Sequence, residues 1–418
     1  MGKRVFGFVR SCMRDLLSQE RGATAVVFAL TMPVLVGFLG LGVEAGYWYF
    51  KDRQLQTAAD LGAHAGVTIL RSGGSEDEVT QAATVEAVKH GFDPSEGEIT
   101  VNTPPTSGTH QDVYSVEVIL TRNLDRTFSS VVTTGPVNLE ARAVSTFDVS
   151  GNACVLALDT WANDAVIFIG NPTATFENCN VMSNSLANDS ITIAGSADVT
   201  APCIVSAGGT SVTADLTLTD CATPLENMPQ AADPYDELPE PPIPANCSTL
   251  PGGPPHALKT LSPGKFCGGL NLSGQYQLNP GTYIVDGGDF RINAGADVIG
   301  DGVTFFLTNN ATVHFNGNAT MNLKAPTSGT YAGVLMYGDR DNASASDIFN
   351  GTANSLLTGS LYFPSQEVQF NGNFSGQNGC LRIIANSVDL EGNTAFTTNC
   401  TGTGISDIPM PGAVHLVE

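Results

Sequence analysis

The sequence predicts an N-terminal transmembrane helix and a small α+β unit, followed by a mostly β region that forms a parallel β-helix. Three observations predict it: one uncharged apolar run near the start, helical spacing directly after it, and a recurring Gly/Asn turn in the distal half. They divide the chain into a basic cytoplasmic segment (1–21), a transmembrane helix (22–50), an α+β domain (51–149), a first β-helix-like part (150–222), a Pro-rich linker or strap (223–256) and a β-helix-like domain (257–418).

The apolar run extends from Ala23 to Val43, 21 residues without a charge. At 1.5 Å per residue it crosses the ~30 Å of a bilayer's hydrocarbon. A buried helix of a soluble protein competes with this reading, but uncharged runs of such length are rare in globular cores. A cleaved signal peptide competes too. The run is long for one, and no small-x-small cleavage site follows before Glu44 and the aromatic group Tyr47, Trp48, Tyr49 and Phe50. Those rings suit a membrane–water interface. Pro33 sits mid-span, where a kink is tolerated. Glu44 falls at the far boundary, as a solvated helix-end acid or as a partner contact within a membrane assembly.

Charge orients the span. Only 14% of residues are charged, with 41 acids against 18 bases and a net charge of -23. Lys3, Arg4, Arg10, Arg14 and Arg21 precede the apolar run, which puts the N-terminus in the cytoplasm and the remainder outside. So acidic a body repels polyanions, and nucleic acid is excluded as a partner. The cysteines agree. Cys12 alone precedes the span, whereas Cys154, Cys179, Cys203, Cys221, Cys247, Cys267, Cys380 and Cys400 follow it, an even set suited to a disulfide framework in an oxidising compartment. No CxxC or CxH spacing supports zinc. Count alone leaves connectivity open, and pairing in sequential order is the expectation.

After the span, Leu55, Ala58, Ala59, Gly62, Ala65, Gly66 and Ile69 line one helical face, and Ser72, Gly73 and Gly74 end the helix. A second helix follows over EDEVTQAATVEAVKHGF, with acids in its first turn. Strand-like runs come next at Glu98–Asn102, Val113–Thr121 and Val137–Phe147, with a short apolar patch at Phe128–Val132 between the last two.

The stretch Arg21 to Gly66 resembles the N-terminal signature of the TadE/TadG-like family of Flp (tight-adherence) pilus-assembly proteins. The resemblance is carried by Arg21-Gly22 before the span, Glu44, the aromatics after it, and Leu55-Gln56-Thr57-Ala58-Ala59-Asp60 followed by small residues. It implies a pilin-like or TadE/TadG-like domain over 51–149 and a component of an adhesive pilus system in the bacterial inner membrane. Pilin-like members carry a Glu five residues after the processing glycine, where this chain has Val27. A TadG-like anchored role is therefore implied rather than a polymerising pilin.

From about Ser150 the composition shifts to Gly, Asn, Thr and short apolar runs. Related turns recur, and their markers Ser273, Asn293, Asn316, Asn350, Asn371 and Glu391 are spaced by 20, 23, 34, 21 and 20 residues. Such a period, with apolar alternation and Gly/Asn corners, predicts a parallel β-helix, the long interval being one rung plus a loop inserted around Tyr337 to Asp347. Cysteine spacings of 20 and 25 residues fit the same coil length. A β-sandwich is the competing architecture. The turns FIGN (Phe168 to Asn171) and IAGS (Ile193 to Ser196) extend the repeat into the earlier part, and CVLALD from Cys154 and LNPGTYIVDGG from Leu278 also resemble distal regions of TadG-like proteins.

Extracellular β-helices often degrade polysaccharides, which makes an anchored carbohydrate-active enzyme the rival reading. Such chemistry needs paired carboxylates, or a base with Arg/Lys and calcium. Asp286, Asp289, Asp297 and Asp301 form one acidic group, and Asp339, Asp341 and Asp347 another; both read as solvated acids at turns. Calcium is left open. The six histidines show no ligand spacing, and neither a Walker motif nor a GxSxG elbow occurs. The expectation is a structural or adhesion component without catalytic, cofactor or metal residues. Its expected partners are the lipid bilayer, other pilus-assembly or envelope proteins, and surface carbohydrate.

Overall fold

The computed structural model describes residues 20–418 apart from 255–256, 343–345, 351–354, 372–373, 393, 398–399 and 401. Most of the basic segment 1–21, with Cys12, lies outside these. The chain forms two compact units, one containing the residues up to 70 with 75–146 and 414–418, the other 71–74 and 147–413.

In the first unit, helix α1 (Glu20–Arg71) runs unbroken through Pro33. Helix α2 (Glu76–Lys89) is started by a capping box, in which Ser75 N donates to Glu78 Oε2 at 2.9 Å and Ser75 Oγ accepts from Glu78 N. Strands β1 (Gly97–Asn102), β2 (Ser115–Leu124) and β3 (Val137–Ala157) pair antiparallel in that order. The apolar patch between β2 and β3 becomes a single 3-10 turn, Ser129–Val131. Beyond the span, α1 buries Leu55, Ala59, Ala63 and Val67 in one row and Ala58, Gly62 and Gly66 in the next. Ala65 and Ile69, which the sequence placed on this face, are only half-buried, because successive turns at 3.6 residues rotate them off it.

The small residues are there for close approach. A Cβ on Gly66 would press on Val116 at 3.1 Å, and one on Gly62 would meet the Ala83 carbonyl at 3.1 Å. α1 therefore lies almost in backbone contact with α2 and packs closely on the Val116 and Val118 side chains of the sheet. On β2, Val116, Val118 and Leu120 are buried, and so is Glu117, which alternation turns to the opposite face. Glu117 is the hub of a polar network, accepting from Arg142 Nε (2.6 Å), Asn102 Nδ2 (2.8 Å) and Thr106 Oγ1 (2.8 Å). Burial pushes its carboxyl up, but the bonds from Thr106, Asn102 and Arg142 more than reverse this and hold it at about 2.

The second unit is a parallel β-solenoid of about 10 turns. Each turn offers three short strands, so that three columns of parallel pairs run along it; 281–286, 289–292 and 297–301 make one such turn. Residues in register pair one turn apart, as Phe290 with Val313 does. Alternation then points every second residue inward, and Phe290, Phe305, Phe315, Phe349 and Phe370 stack through the core with neighbouring centroids 4.4–5.4 Å apart. Asn293, Asn316, Asn371 and Glu391 all sit at one corner, where each backbone N–H donates to a carbonyl of the preceding turn. The Asn316 side chain also donates to Asn293, and Asn293 in turn to Asn271. Two positions further on, Gly295 (φ 75°) and Asn318 (φ 64°) take the left-handed backbone that these residue types tolerate.

One detail differs from the sequence reading. The long interval is indeed a single turn, but its extra residues fall in two places, after Lys324 and after Gly338. Tyr337 and Asp347 are themselves in strands, paired with Phe306 and Val368.

The order of turns does not follow the order of the chain. The turn containing Phe374–Leu390 pairs onward with residues 155–157 and 166–168, so the earlier sequence stretch continues the solenoid where the later one leaves it. Arg382, 1% exposed, holds this seam by donating to the Ala153 carbonyl and, at 2.8 Å, to Asp407. The Pro-rich segment is a strap that carries the chain from the last turn back to the first. Having few N–H groups to offer a sheet, it attaches mainly through side chains. Ala231 pairs with Asn184 (2.8 and 2.9 Å), Tyr235 meets Ser360 (2.7 Å), Tyr337 donates to the Leu238 carbonyl (3.0 Å), and Cys247 is bonded to Cys267. The strap's Tyr235 packs tilted on Tyr362, which in turn packs on Tyr337 and that edge-on against Phe306, with Arg340 over Tyr337 and Tyr362. This is why strands such as 303–308 and 334–338 are buried on both faces.

Disulfides also join Cys154–Cys179, Cys203–Cys221 and Cys380–Cys400; across all four bonds the Cα atoms are 5.1–5.7 Å apart, near the spacing between adjacent turns.

Candidate functional site at the membrane boundary

The apolar part of α1 reaches a mean hydropathy of 2.3. Its large side chains are exposed, with Phe28 at 67%, Phe38 at 70% and Leu39 at 70%. Among the described side chains from 24 to 48 only one row is covered: Gly40, Glu44 and Trp48, spaced four residues apart and therefore stacked along one edge of the helix. What covers it is the loop leading from β2 to the 3-10 turn.

Each member of the row meets a different residue of that loop. Arg126 lies over the Trp48 ring at 5.3 Å. Thr127 N and Ser129 N donate to the two carboxyl oxygens of Glu44 at 2.5 and 2.6 Å. Phe128, between them, packs its ring where a Cβ on Gly40 would stand, so that any larger residue there would displace the ring. The backbone N–H groups at a 3-10 turn lack partners of their own, and a carboxyl group meets them two at a time. Glu44 is thereby 4% exposed, not the solvated helix-end acid that was one of the two readings of the sequence, and it forms a clasp within its own chain. An open cleft of about 740 Å³ adjoins it, lined by Tyr47, Glu96, Glu98, Asn123, Asp125 and Thr127.

The other residues of the motif lie elsewhere along the same helix. Leu55, Ala58 and Ala59 are buried against the first unit's core. Gln56 donates to Asp60 (2.7 Å) and to the Arg142 carbonyl (3.0 Å), fixing α1 to β3. Arg21 and Gly22 lie in the first turns of α1. The role of the loop was missed from sequence, where Phe128–Val132 read only as an approach to the next strand; the signal was a Gly four residues before an acid, facing a bulky ring from elsewhere in the chain.

The acidic groups of the solenoid are largely tied into it. Asp286 faces Lys265 at 3.5 Å, Asp289 pairs with Arg291 (2.5 Å) and accepts from Thr312 (3.0 Å), and Asp339 accepts from Thr308 (2.5 Å). Asp297 and Asp301 are exposed on a third column. Asp347 is not a surface acid at all, being 0% exposed with Oδ1 accepting from Val313 N at 2.6 Å. Among the described residues no group of three or more His, Cys, Asp or Glu is arranged to hold a metal ion.

Fold and site define a protein with one membrane-capable helix, clasped at its polar end to a small α+β unit, whose chain continues into a disulfide-bonded β-solenoid. Residues 22–68 match the family model described as "Putative Flp pilus-assembly TadE/G-like", the family that the sequence resembles. No curated protein and no solved structure matches the chain. The matched segment holds the membrane-capable helix, Glu44 and the buried face of α1, and together with that helix it supports a component of a Tad pilus system.

If Glu44 is the clasp, Glu44→Gln presents an amide N–H₂ to one of two N–H donors and should speed amide hydrogen exchange at Thr127 or Ser129, with the sheet amides unchanged. Equal protection in both proteins would remove this role.

Proposed function

We propose that the protein is a membrane-anchored, extracytoplasmic structural and adhesion component of a Tad-type pilus assembly system in the bacterial inner membrane, TadG-like in its anchoring, with the solenoid as a rigid rod for scaffolding or surface binding. The observation that carries this reading is the family match over 22–68, which covers an exposed apolar helix continuous with the packed core of the first unit. Basic residues before the span favour a cytoplasmic N-terminus, and four disulfides favour an oxidising compartment beyond it. Partners on this reading are the bilayer, other pilus-assembly or envelope proteins, and surface carbohydrate met by the rod. Of the acids that a polysaccharide-degrading reading would recruit, Asp286, Asp289, Asp339 and Asp347 are engaged in bonds between turns, which favours structure over catalysis.

A photo-crosslinking residue placed at Trp161, 73% exposed on the solenoid, tests it in intact cells. Crosslinks to pilus-assembly proteins, together with loss of pili on deletion, are expected. Normal piliation without the protein, or crosslinks confined to cytosolic proteins, would overturn it.

A further inference from the structure

The loop that clasps α1 ends in apolar residues with no cover. Val131 is 90% exposed, Val132 84% and Phe128 49%. Two adjacent valines so bare at a turn are costly in water, since each leaves most of its apolar area unburied. Their position along α1 shows what covers them. Glu44 ends the uncharged run, and its carboxyl group holds Thr127 N and Ser129 N. Phe128 then reaches back along the helix to Gly40, four residues or ~6 Å further into the apolar segment. On the other side of Glu44, Arg126 lies over Trp48, an arrangement of cation and indole suited to the headgroup level.

We infer that the turn Phe128–Val132 dips into the outer part of the same bilayer that α1 crosses, making a second, non-spanning lipid contact. The occupant of this apolar tip is lipid because Phe128 lies against a residue inside the uncharged run; whatever surrounds Gly40 in the membrane also meets the turn. The clasp then has a purpose: Glu44 satisfies the backbone N–H groups of a turn that enters a medium without water to bond them. Helix and turn together fix the first unit to the membrane surface at two points, restricting tilt and rotation that a lone helix would allow.

The inference rests on reading 23–43 as a membrane span, and the test separates the two. In the full chain carrying Cys12→Ser, single cysteines at Leu39, Val131, Val132 and Val113 are labelled with an environment-sensitive fluorophore and the protein is reconstituted into phosphatidylcholine vesicles. Lipids bearing a nitroxide near the glycerol end or at the chain end serve as quenchers. Val113, 64% exposed and preceding β2, is the water-facing control. Labels at Val131 and Val132 should be blue-shifted and lose most of their fluorescence to the shallow nitroxide, while the label at Val113 is untouched. Quenching at Leu39 without quenching at Val131 and Val132 overturns the inference and leaves the span intact. A blue shift at Val131 without quenching assigns the tip to contact with protein, here a second copy of this chain, and also overturns it. No quenching even at Leu39 overturns the span itself and the inference with it.

Discussion

Replacing Phe305 with alanine is expected to destabilise the solenoid by about 3–5 kcal/mol, the usual cost of removing a buried aromatic ring. Phe305 is fully buried, stacks on Phe290 at 4.4 Å and tilts against Tyr283 at 5.4 Å. Its loss opens a gap between two consecutive turns, and in a solenoid each turn is supported mainly by its neighbours. Stability therefore falls locally first. Thermal unfolding of the detergent-solubilised protein should shift down and broaden, with exchange protection lost soonest in 281–286 and 303–308. Val113→Ala, at an exposed position, serves as the control and should change stability by no more than about 0.5 kcal/mol. A Phe305→Ala protein that melts like this control would refute the stacked core.

The second large effect concerns Asp347, whose carboxyl group is enclosed by the solenoid with Oδ2 lacking any hydrogen-bond partner. Burial pushes it up to about 8, and the bond from Val313 N only partly opposes this. The folded value lies above the ordinary ~3.9 of an unfolded Asp. The protonated form is thus favoured by folding, and the stability linked to it is complete below pH ~4, then declines as pH rises until the folded group ionises near 8. At ~1.4 kcal/mol per pKa unit the loss amounts to several kcal/mol. Asp347→Asn keeps an acceptor for Val313 N but cannot ionise. Its melting temperature should fall less than that of the parent between pH 5 and pH 9, whatever the two values at pH 5. Parallel curves would mean that Asp347 is charged and solvated after all.

Both predictions concern residues whose type was visible in the sequence but whose surroundings were not. The inward alternation of Phe290, Ile292, Phe305 and Phe315 follows from a period of two within a longer repeat, and the corner asparagines reported the turn length. Asp347 was read as a surface acid because acids at turns usually are; an insertion upstream shifts it into a strand, where alternation turns it inward. The same limit applied at the end of the apolar run. Glu44 was singled out by its place after an uncharged run, but the loop that meets it lies more than 80 residues away, and no local pattern announces such a partner.

The sequence by itself determined the kinds of structure present, because these depend on near neighbours along the chain: a charge-free stretch long enough for a bilayer, small residues at helical spacing, and Gly/Asn corners at intervals of one turn. Only the tertiary structure decided the order in which the turns stack, with residues 155–157 continuing from Phe374–Leu390 and the Pro-rich strap returning the chain along the outside. Parallel strands one turn apart expose much the same backbone edge at every seam. Which edges meet is settled by contacts such as that of Arg382 with Ala153, between residues that the order of the sequence keeps far apart.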